Sequence, residues 1–339
     1  MSDRVRPNIL LSLACVVVLV AGLQAAGSVL LPFLLSILLA VLAMPVVRWL
    51  QGMKIPATLA VLLTVCLLIG LFAGVGVVVG TSVNDFSDKL PVYEELLREK
   101  VAELGKGTPL PEVGDWFDPG AAFSFAGQIL NGLVGVLSNL FLILLTTVFI
   151  LLEAAGIPSK LRAAFPGDGE PLTKASAVGR SVQAYLGVKT LMSFATGVCV
   201  SILVGALGLS HPALWGLVAF LLNFVPSIGS IIAALPAVLL ALIELGSGKA
   251  LAVLLGFVAI NMVVGNVIEP RLMGRKLGLS PLVVFLSLLF WGWVWGPAGM
   301  LLSVPLTVMV KIILEGREGT RWIGVMLGPE QEAQQAPKA

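Results

Sequence analysis

Residues 213–243 read ALWGLVAFLLNFVPSIGSIIAALPAVLLALI, an apolar run broken at its centre by Asn223-Phe224-Val225-Pro226-Ser227-Ile228-Gly229. A helix needs about 20 residues to cross about 30 Å of hydrocarbon. The run is therefore too long for one crossing and too short for two. Proline and glycine at the centre supply a turn. The stretch predicts a re-entrant hairpin, or two short helices, that enters and leaves a membrane by the same face.

A second run, 281–314, has the same design, with Trp295-Gly296-Pro297-Ala298-Gly299 at its centre. One apolar stretch, 250–268, lies between the two runs. A single crossing between two hairpins makes them enter from opposite faces. Gly208-Leu209-Ser210 recurs as Gly278-Leu279-Ser280, Gly229 as Gly299 and Pro236 as Pro305. An inverted repeat of broken helices is a transporter architecture, with substrate near the repeat interface. The competing reading is two ordinary kinked hairpins that only pack together.

The rest of the chain supports a membrane reading. Of 339 residues, 58% are hydrophobic and 12% charged, where soluble domains carry about 25% charged residues. Mean hydropathy is +1.03. Further apolar stretches fall at 8–28, 30–47, 57–80, 129–152 and 190–209. None alternates as barrel strands do, so each is expected to be helical. The predicted fold is all-α, with about eight membrane segments in one transporter domain, 1–328. A polar, disordered tail is expected at 329–339. Arg4 and Arg6 followed by an apolar run resemble a signal peptide, but Val29–Val47 follows at once, and an uncleaved first span is expected.

Lys and Arg placement sets an expected orientation. Arg4, Arg6, Arg48 and Lys54 mark the inside, as do Arg271, Arg275, Lys276, Lys311, Arg317 and Arg321. Segment 81–128 holds nine acidic and four basic residues and is expected to be an extracytoplasmic helical insertion. Within it, Pro91 with Glu94 and Glu95 reads as a helix start and Gly105 as its stop. Leu90, Leu97, Val101 and Leu104 share a face, which predicts an amphipathic helix on the bundle or interface. Segment 154–189, with Lys160, Arg162, Lys174, Arg180 and Lys189, is expected to be a cytoplasmic loop. The implied location is a bacterial inner membrane with both termini cytoplasmic.

Net charge is +2, with no basic patch, so nucleic acid is not an expected partner. Cys15, Cys66 and Cys199 lie within apolar runs and read as buried free thiols. His211 precedes Pro212 and reads as a loop residue. Neither a metal set nor a nucleophile with acid–base partners is apparent, so no enzyme, catalytic residue, metal or cofactor is expected.

The segments Asn223 to Gly229, Gly265-Asn266-Val267-Ile268-Glu269-Pro270-Arg271-Leu272-Met273-Gly274-Arg275-Lys276-Leu277-Gly278, and Gly296-Pro297-Ala298-Gly299 through Leu306 together resemble the autoinducer-2 exporter family of membrane transporters, formerly an uncharacterised permease family. The resemblance spans 8–316 and is strongest after Tyr185. It implies about eight membrane helical segments and export of a small polar metabolite in some members, with cation/proton exchange in others. The chain departs from the family pattern at Ser227, Ser230, Met262 and Val263, which bears on substrate identity.

Charge inside a bilayer is costly. Glu153, Glu244, Glu269, Lys189 and Lys311 are expected near helix ends, where they can snorkel. No carboxylate is expected in mid-span, which counts against proton coupling. Asn223, Asn261 and Asn266 supply mid-membrane polarity, either for a substrate or for neighbouring helices. Glu269 and Arg271 flank Pro270 as a candidate ion pair at the inner gate. The candidate substrate pathway is Asn223, Pro226, Gly229, Asn261, Asn266, Glu269, Pro270, Arg271, Gly296, Pro297 and Gly299. Gly70, Gly74, Gly76 and Gly80 suit close helix packing, within the chain or between copies. Trp291, Trp293 and Trp295 suit cavity lining or bulky packing. The reading is an alternating-access exporter of a small polar metabolite or signalling molecule. A cation/proton antiporter and an oligomeric channel are the alternatives. Expected partners are the bilayer, a small-molecule or ion substrate, and further copies of the chain.

Overall fold

A computed structural model describes residues 9–105, 127, 139–154, 160, 170–225, 229–273, 278–316 and 319–329. Arg4, Arg6, Pro226, Ser227, Arg275, Lys276, Arg317 and the tail from residue 330 lie outside the described residues, as does most of the second half of segment 81–128. The described secondary structure is helical throughout. Five described helices are long and apolar enough to cross a membrane, and four shorter apolar helices accompany them. Helices follow from the solvent: lipid offers no partner for a backbone N–H, so each segment must satisfy its own.

α1 (Ile9–Ala25) and α2 (Gly27–Gly52) meet at a single turn residue, Ala26. α3 (Ala57–Gly105) follows a short turn. It is one continuous helix through Pro91, so the separate helix expected to start there does not exist, although Gly105 is its last residue. The side chains of Leu90, Leu97, Val101 and Leu104 lie outside the described residues. α4 (Leu140–Ala154) packs on α2 through small and hydroxyl residues. Ser36 donates to the Ile143 carbonyl at 3.0 Å, and Thr147 reaches back to Ser36 O at 3.4 Å. Both side chains are fully enclosed, as expected where helices associate by close approach and hydrogen bonding rather than by a hydrophobic force.

α5 (Glu170–Leu207) begins well inside the segment expected to be a loop. Its candidate membrane span, by length and hydropathy, is Val182–Leu207 rather than 190–209. Lys189 is thus placed several residues inside the span.

The first hairpin is α6 (Pro212–Leu222) and α7 (Gly229–Leu245). Eleven residues of α6 rise only about 17 Å at 1.5 Å each, too little for this arm to cross about 30 Å of hydrocarbon. α8 (Ser247–Ile260) continues through a π-helical stretch, Asn261–Ile268, into a last turn, α9 (Glu269–Met273). The second hairpin lies within α10 (Pro281–Glu315), whose helix breaks at Trp295 (φ −133°, ψ 17°) and Gly296 (φ 63°, ψ −148°). Trp291 Nε1 donates to Thr307 Oγ1 at 3.2 Å across the two arms. Lys311 Nζ closes the base by donating to Gly278 O. α11 (Arg321–Met326) follows.

The repeat is geometric as well as sequential. Gly208 and Gly278 both take left-handed backbone, φ 86° and 59°. Leu209 and Leu279, which follow them, are both buried. Pro212 and Pro281 each start the first arm. Gly229 and Gly299 each lie against the opposite arm's backbone, and Pro236 and Pro305 are buried in the second arms. One crossing, α8–α9, separates the bases of the two hairpins, so they point in opposite directions. Accordingly, Tyr93 near the far end of α3 meets the base of the first hairpin. The tip of the second packs on the start of α2 at Leu30 and Leu31.

The bundle's outer surface is apolar: Leu62, Leu67, Leu71, Phe141, Phe149, Phe194, Ile202, Leu255 and Val258 are all exposed. Such a continuous apolar surface suits lipid. Cys15, Cys66 and Cys199 lie on this surface rather than in the protein interior, which corrects the reading of buried thiols.

Candidate functional site

α5 presents Lys189, Ser193 and Thr196 at spacings of four and three residues, so they lie along one face. Neighbouring positions fix what that face meets. A Cβ at Gly197 would touch Gly216 O of α6, and one at Gly256 of α8 would touch Leu203. The polar face therefore lies between the first hairpin and α8.

Hydrogen bonds converge there. At the hairpin tip, Asn223 Nδ2 donates to Ser193 Oγ at 3.0 Å, and both residues are buried. At the start of the second arm, Ser230 Oγ donates to Asn261 Oδ1 at 2.7 Å. Asn261 opens the π-helical stretch, and Gly265 makes room for its amide: a Cβ there would sit 3.0 Å from Oδ1. π-helical turns are rare and gather at functional sites. Beyond the tip, Lys189 Nζ meets Glu269 Oε1 at 2.7 Å, with the side chains 6% and 14% exposed. Tyr185, one turn earlier on α5, is buried beside this pair.

The geometry changes several expectations. Glu269 pairs with Lys189 and not with Arg271, which is exposed on α9. The reason is the helix: a proline between two residues does not bring them to one face, and Glu269 turns inward where Arg271 turns out. Lys189, Glu269 and Lys311 do not snorkel, because protein encloses all three. Glu269 lies near the end of the candidate span Ser247–Leu272, as expected, but its carboxylate is enclosed. Asn266 and Pro270 are exposed on the outer side of α8–α9, as are Met262 and Val263. Of the positions that depart from the family pattern, Ser230 alone among those described lies in the site.

Gly296, Pro297 and Gly299 belong to a different environment. Trp291 and Trp295 stack with ring centroids 5.1 Å apart. Trp295 Nε1 donates to Leu23 O at 2.9 Å, which the α1–α2 turn leaves free of a helical partner. Val20, Leu23, Leu30, Leu31 and Leu34 surround the indoles. This tip is packed with aromatic rings against α1 and α2, whereas the first tip is polar. Trp293 is exposed.

At the other end of the first hairpin, Glu244 accepts from Tyr93 OH at 3.2 Å and from Ser210 N–H at 3.1 Å. His211 takes left-handed backbone, φ 56°, and its Nε2 lies 3.3 Å from Asp85 Oδ2. The extension of α3 thus docks on the hairpin base. Tyr93 lies beyond the membrane span Ala57–Ser82. Burial, then the Glu244 carboxylate, push its phenol from 10.0 up to about 12. Tyr93→Phe is expected to lower thermal stability at pH 8 by about 1.5 kcal/mol, the loss of one bond to a charged acceptor. The folded-state value is raised, so the phenol's contribution is whole below pH 10 and lost as pH rises toward about 12. The gap between wild type and Tyr93→Phe should therefore close over that window, as melting followed against pH would record.

Two opposed broken-helix hairpins, one with an enclosed polar site at its tip, within an apolar helical bundle, are the architecture of a membrane transporter. Residues 13–317 match the AI-2E family transporter family, and the chain belongs to it. It is 37% identical to the AI-2 transport protein TqsA of Escherichia coli K12, covering 94% of this chain and 95% of that protein. It is 38% identical to a Haemophilus influenzae protein named provisionally as a transport protein, covering 95% and 97% of the two chains.

Proposed function

We propose that the chain exports a small polar molecule by alternating access, with both termini on the cytoplasmic side of a bacterial inner membrane. The observation that carries this reading is the polar site at the first tip. Ser193, Asn223, Ser230 and Asn261 gather where a helix is broken, midway along the crossing helices α5 and α8. Midplane polarity at a broken helix, between inverted hairpins, is where transporters bind cargo. The printed name of the Escherichia coli relative supplies the first probe, autoinducer-2. Proton-coupled exchange is the second reading. It is favoured by the Lys189–Glu269 pair, an enclosed carboxylate in contact with an ammonium group.

Proteoliposomes loaded with autoinducer-2 test both. Saturable efflux supports a carrier, and efflux that rises linearly with concentration supports a channel. Stimulation by an imposed pH gradient supports proton exchange. Absence of efflux under any gradient removes autoinducer-2 as cargo. Orientation is tested separately, with the three native cysteines changed to Ala. Cysteine at Asp88 should react with an impermeant thiol reagent added outside, and cysteine at Lys54 should not. The reverse pattern overturns the orientation.

A further inference from the structure

One polar group of the site has no partner. Thr196 is 5% exposed, and its Oγ1 makes no hydrogen bond among the described residues. Thr190 Oγ1, on the same helix two turns away, is likewise buried and unbonded. Three other buried helical hydroxyls are satisfied locally: Thr64, Ser36 and Thr147 each donate to the carbonyl four residues back. That escape is open to any helical threonine, and Thr196 does not take it.

Position strengthens the observation. Thr196 lies near the middle of the span Val182–Leu207. It shares the helix face of Ser193 and Lys189, whose side chains already meet Asn223 and Glu269. A buried hydroxyl left without a partner costs stability, and replacing it with an isosteric methyl would remove that cost. A costly group kept at the centre of a site marks function bought with stability.

We infer that Thr196 is a cargo-contacting residue: its Oγ1–H and lone pairs receive a polar atom of the transported molecule during the cycle. The inference rests on the transport reading and adds to it the residue that selects a hydroxyl- or carbonyl-bearing cargo over an apolar one. A site built to hydrogen-bond its ligand discriminates strongly, because the wrong ligand leaves the protein group unpaired.

The test uses the full chain in proteoliposomes loaded with autoinducer-2, with Thr196→Val, Thr196→Ser and, on a background with Cys15, Cys66 and Cys199 changed to Ala, Thr196→Cys. Thr196→Val should raise the melting temperature while raising the KM for efflux at least tenfold. Thr196→Ser, which keeps the hydroxyl, should restore KM to within about twofold of wild type. A group that only supported the fold would give the opposite signs, with lower melting and unchanged KM. Thr196→Cys should react with a small, water-soluble thiol reagent, and autoinducer-2 should slow the reaction. Unchanged KM in Thr196→Val, or a Thr196→Cys thiol that never reacts, overturns the inference. If the wild type moves no autoinducer-2, the cargo assignment fails, and the Thr196→Cys reaction still decides whether the hydroxyl faces the aqueous pathway.

Discussion

Gly229→Val and Gly299→Val are each expected to abolish transport, and Gly→Ala at either position to reduce it severely. A Cβ built at Gly229 would lie 1.8 Å from Leu222 O and 2.7 Å from Leu222 C. At Gly299 the same atom would lie 2.0 Å from Trp291 O and 2.8 Å from Trp291 C. These neighbours are backbone, so no rotamer change relieves the overlap, and the arms of each hairpin must separate. Neither glycine takes a positive φ; that role falls to Gly296 at the second tip. The requirement at both is close approach of two backbones, one of the uses of glycine. Valine exceeds the available space by a whole side chain. The loss should exceed the 1–3 kcal/mol typical of overpacking in a core that can adjust. Flux per inserted protein, with insertion checked by protease protection, is the measurement. Gly248→Val is the control, because a Cβ there meets nothing within 4 Å. Gly70→Val is equally free of contacts within one chain. An assembly defect in that variant would report contact between copies. Transport above half the wild-type rate in either tip variant would show that the hairpins can open without cost.

Which parts of this architecture could be read in the sequence follows from the range of each signal. The hairpins were legible because run length, a central proline and glycine, and the parity of crossings are local facts. Gly229 and Gly299 stood out for the same reason, as did Asn223 and Asn261, since an amide within an apolar run is conspicuous. The pairing of Lys189 with Glu269 joins residues 80 apart in the chain, and it depends on α5 starting at Glu170 rather than after Lys189. Charges in 154–189 suggested a solvated loop, although the apolar residues from Val182 onward already carry the helix. Arg271 was a plausible partner for Glu269 by proximity in sequence alone. Helix geometry decides otherwise. The π-helical stretch at Asn261–Ile268 has no compositional signature beyond two amides and one glycine. Thr196 carries no signal in the sequence, and only the absence of a bond among the described residues sets it apart. Pro91 misled because proline is a frequent helix start. Here it lies within a helix already formed.

The Lys189–Glu269 pair yields the last prediction, and a double-mutant cycle can separate its structural part from its functional part. The two side chains are enclosed and in contact at 2.7 Å. Removing one member leaves the other as a buried, uncompensated charge, which costs about 3–5 kcal/mol. Lys189→Met and Glu269→Gln are therefore each expected to lower the melting temperature markedly. The double variant leaves no charge behind, and replacing a buried pair by neutral groups of similar volume is often neutral for stability. Its melting temperature should return close to wild type, with a coupling energy of about 2 kcal/mol or more. Transport should not return with it. The pair lies one turn from Ser193, whose hydroxyl holds the first tip through Asn223. An uncharged substitute therefore keeps the packing while losing the only described ion pair that ties α5 to the end of the π-helical stretch. A stable, inactive double variant assigns the pair to the transport cycle. A stable, active one makes it a packing device, and the proton-exchange reading falls with it. Arg271→Ala, on the exposed side of α9, should leave both stability and flux within about twofold of wild type, the usual size of a surface substitution. A melting shift below about 1 °C for Glu269→Gln, less than 1 kcal/mol produces in a chain of this length, would show that Lys189 finds another partner and that the pair does not hold the site.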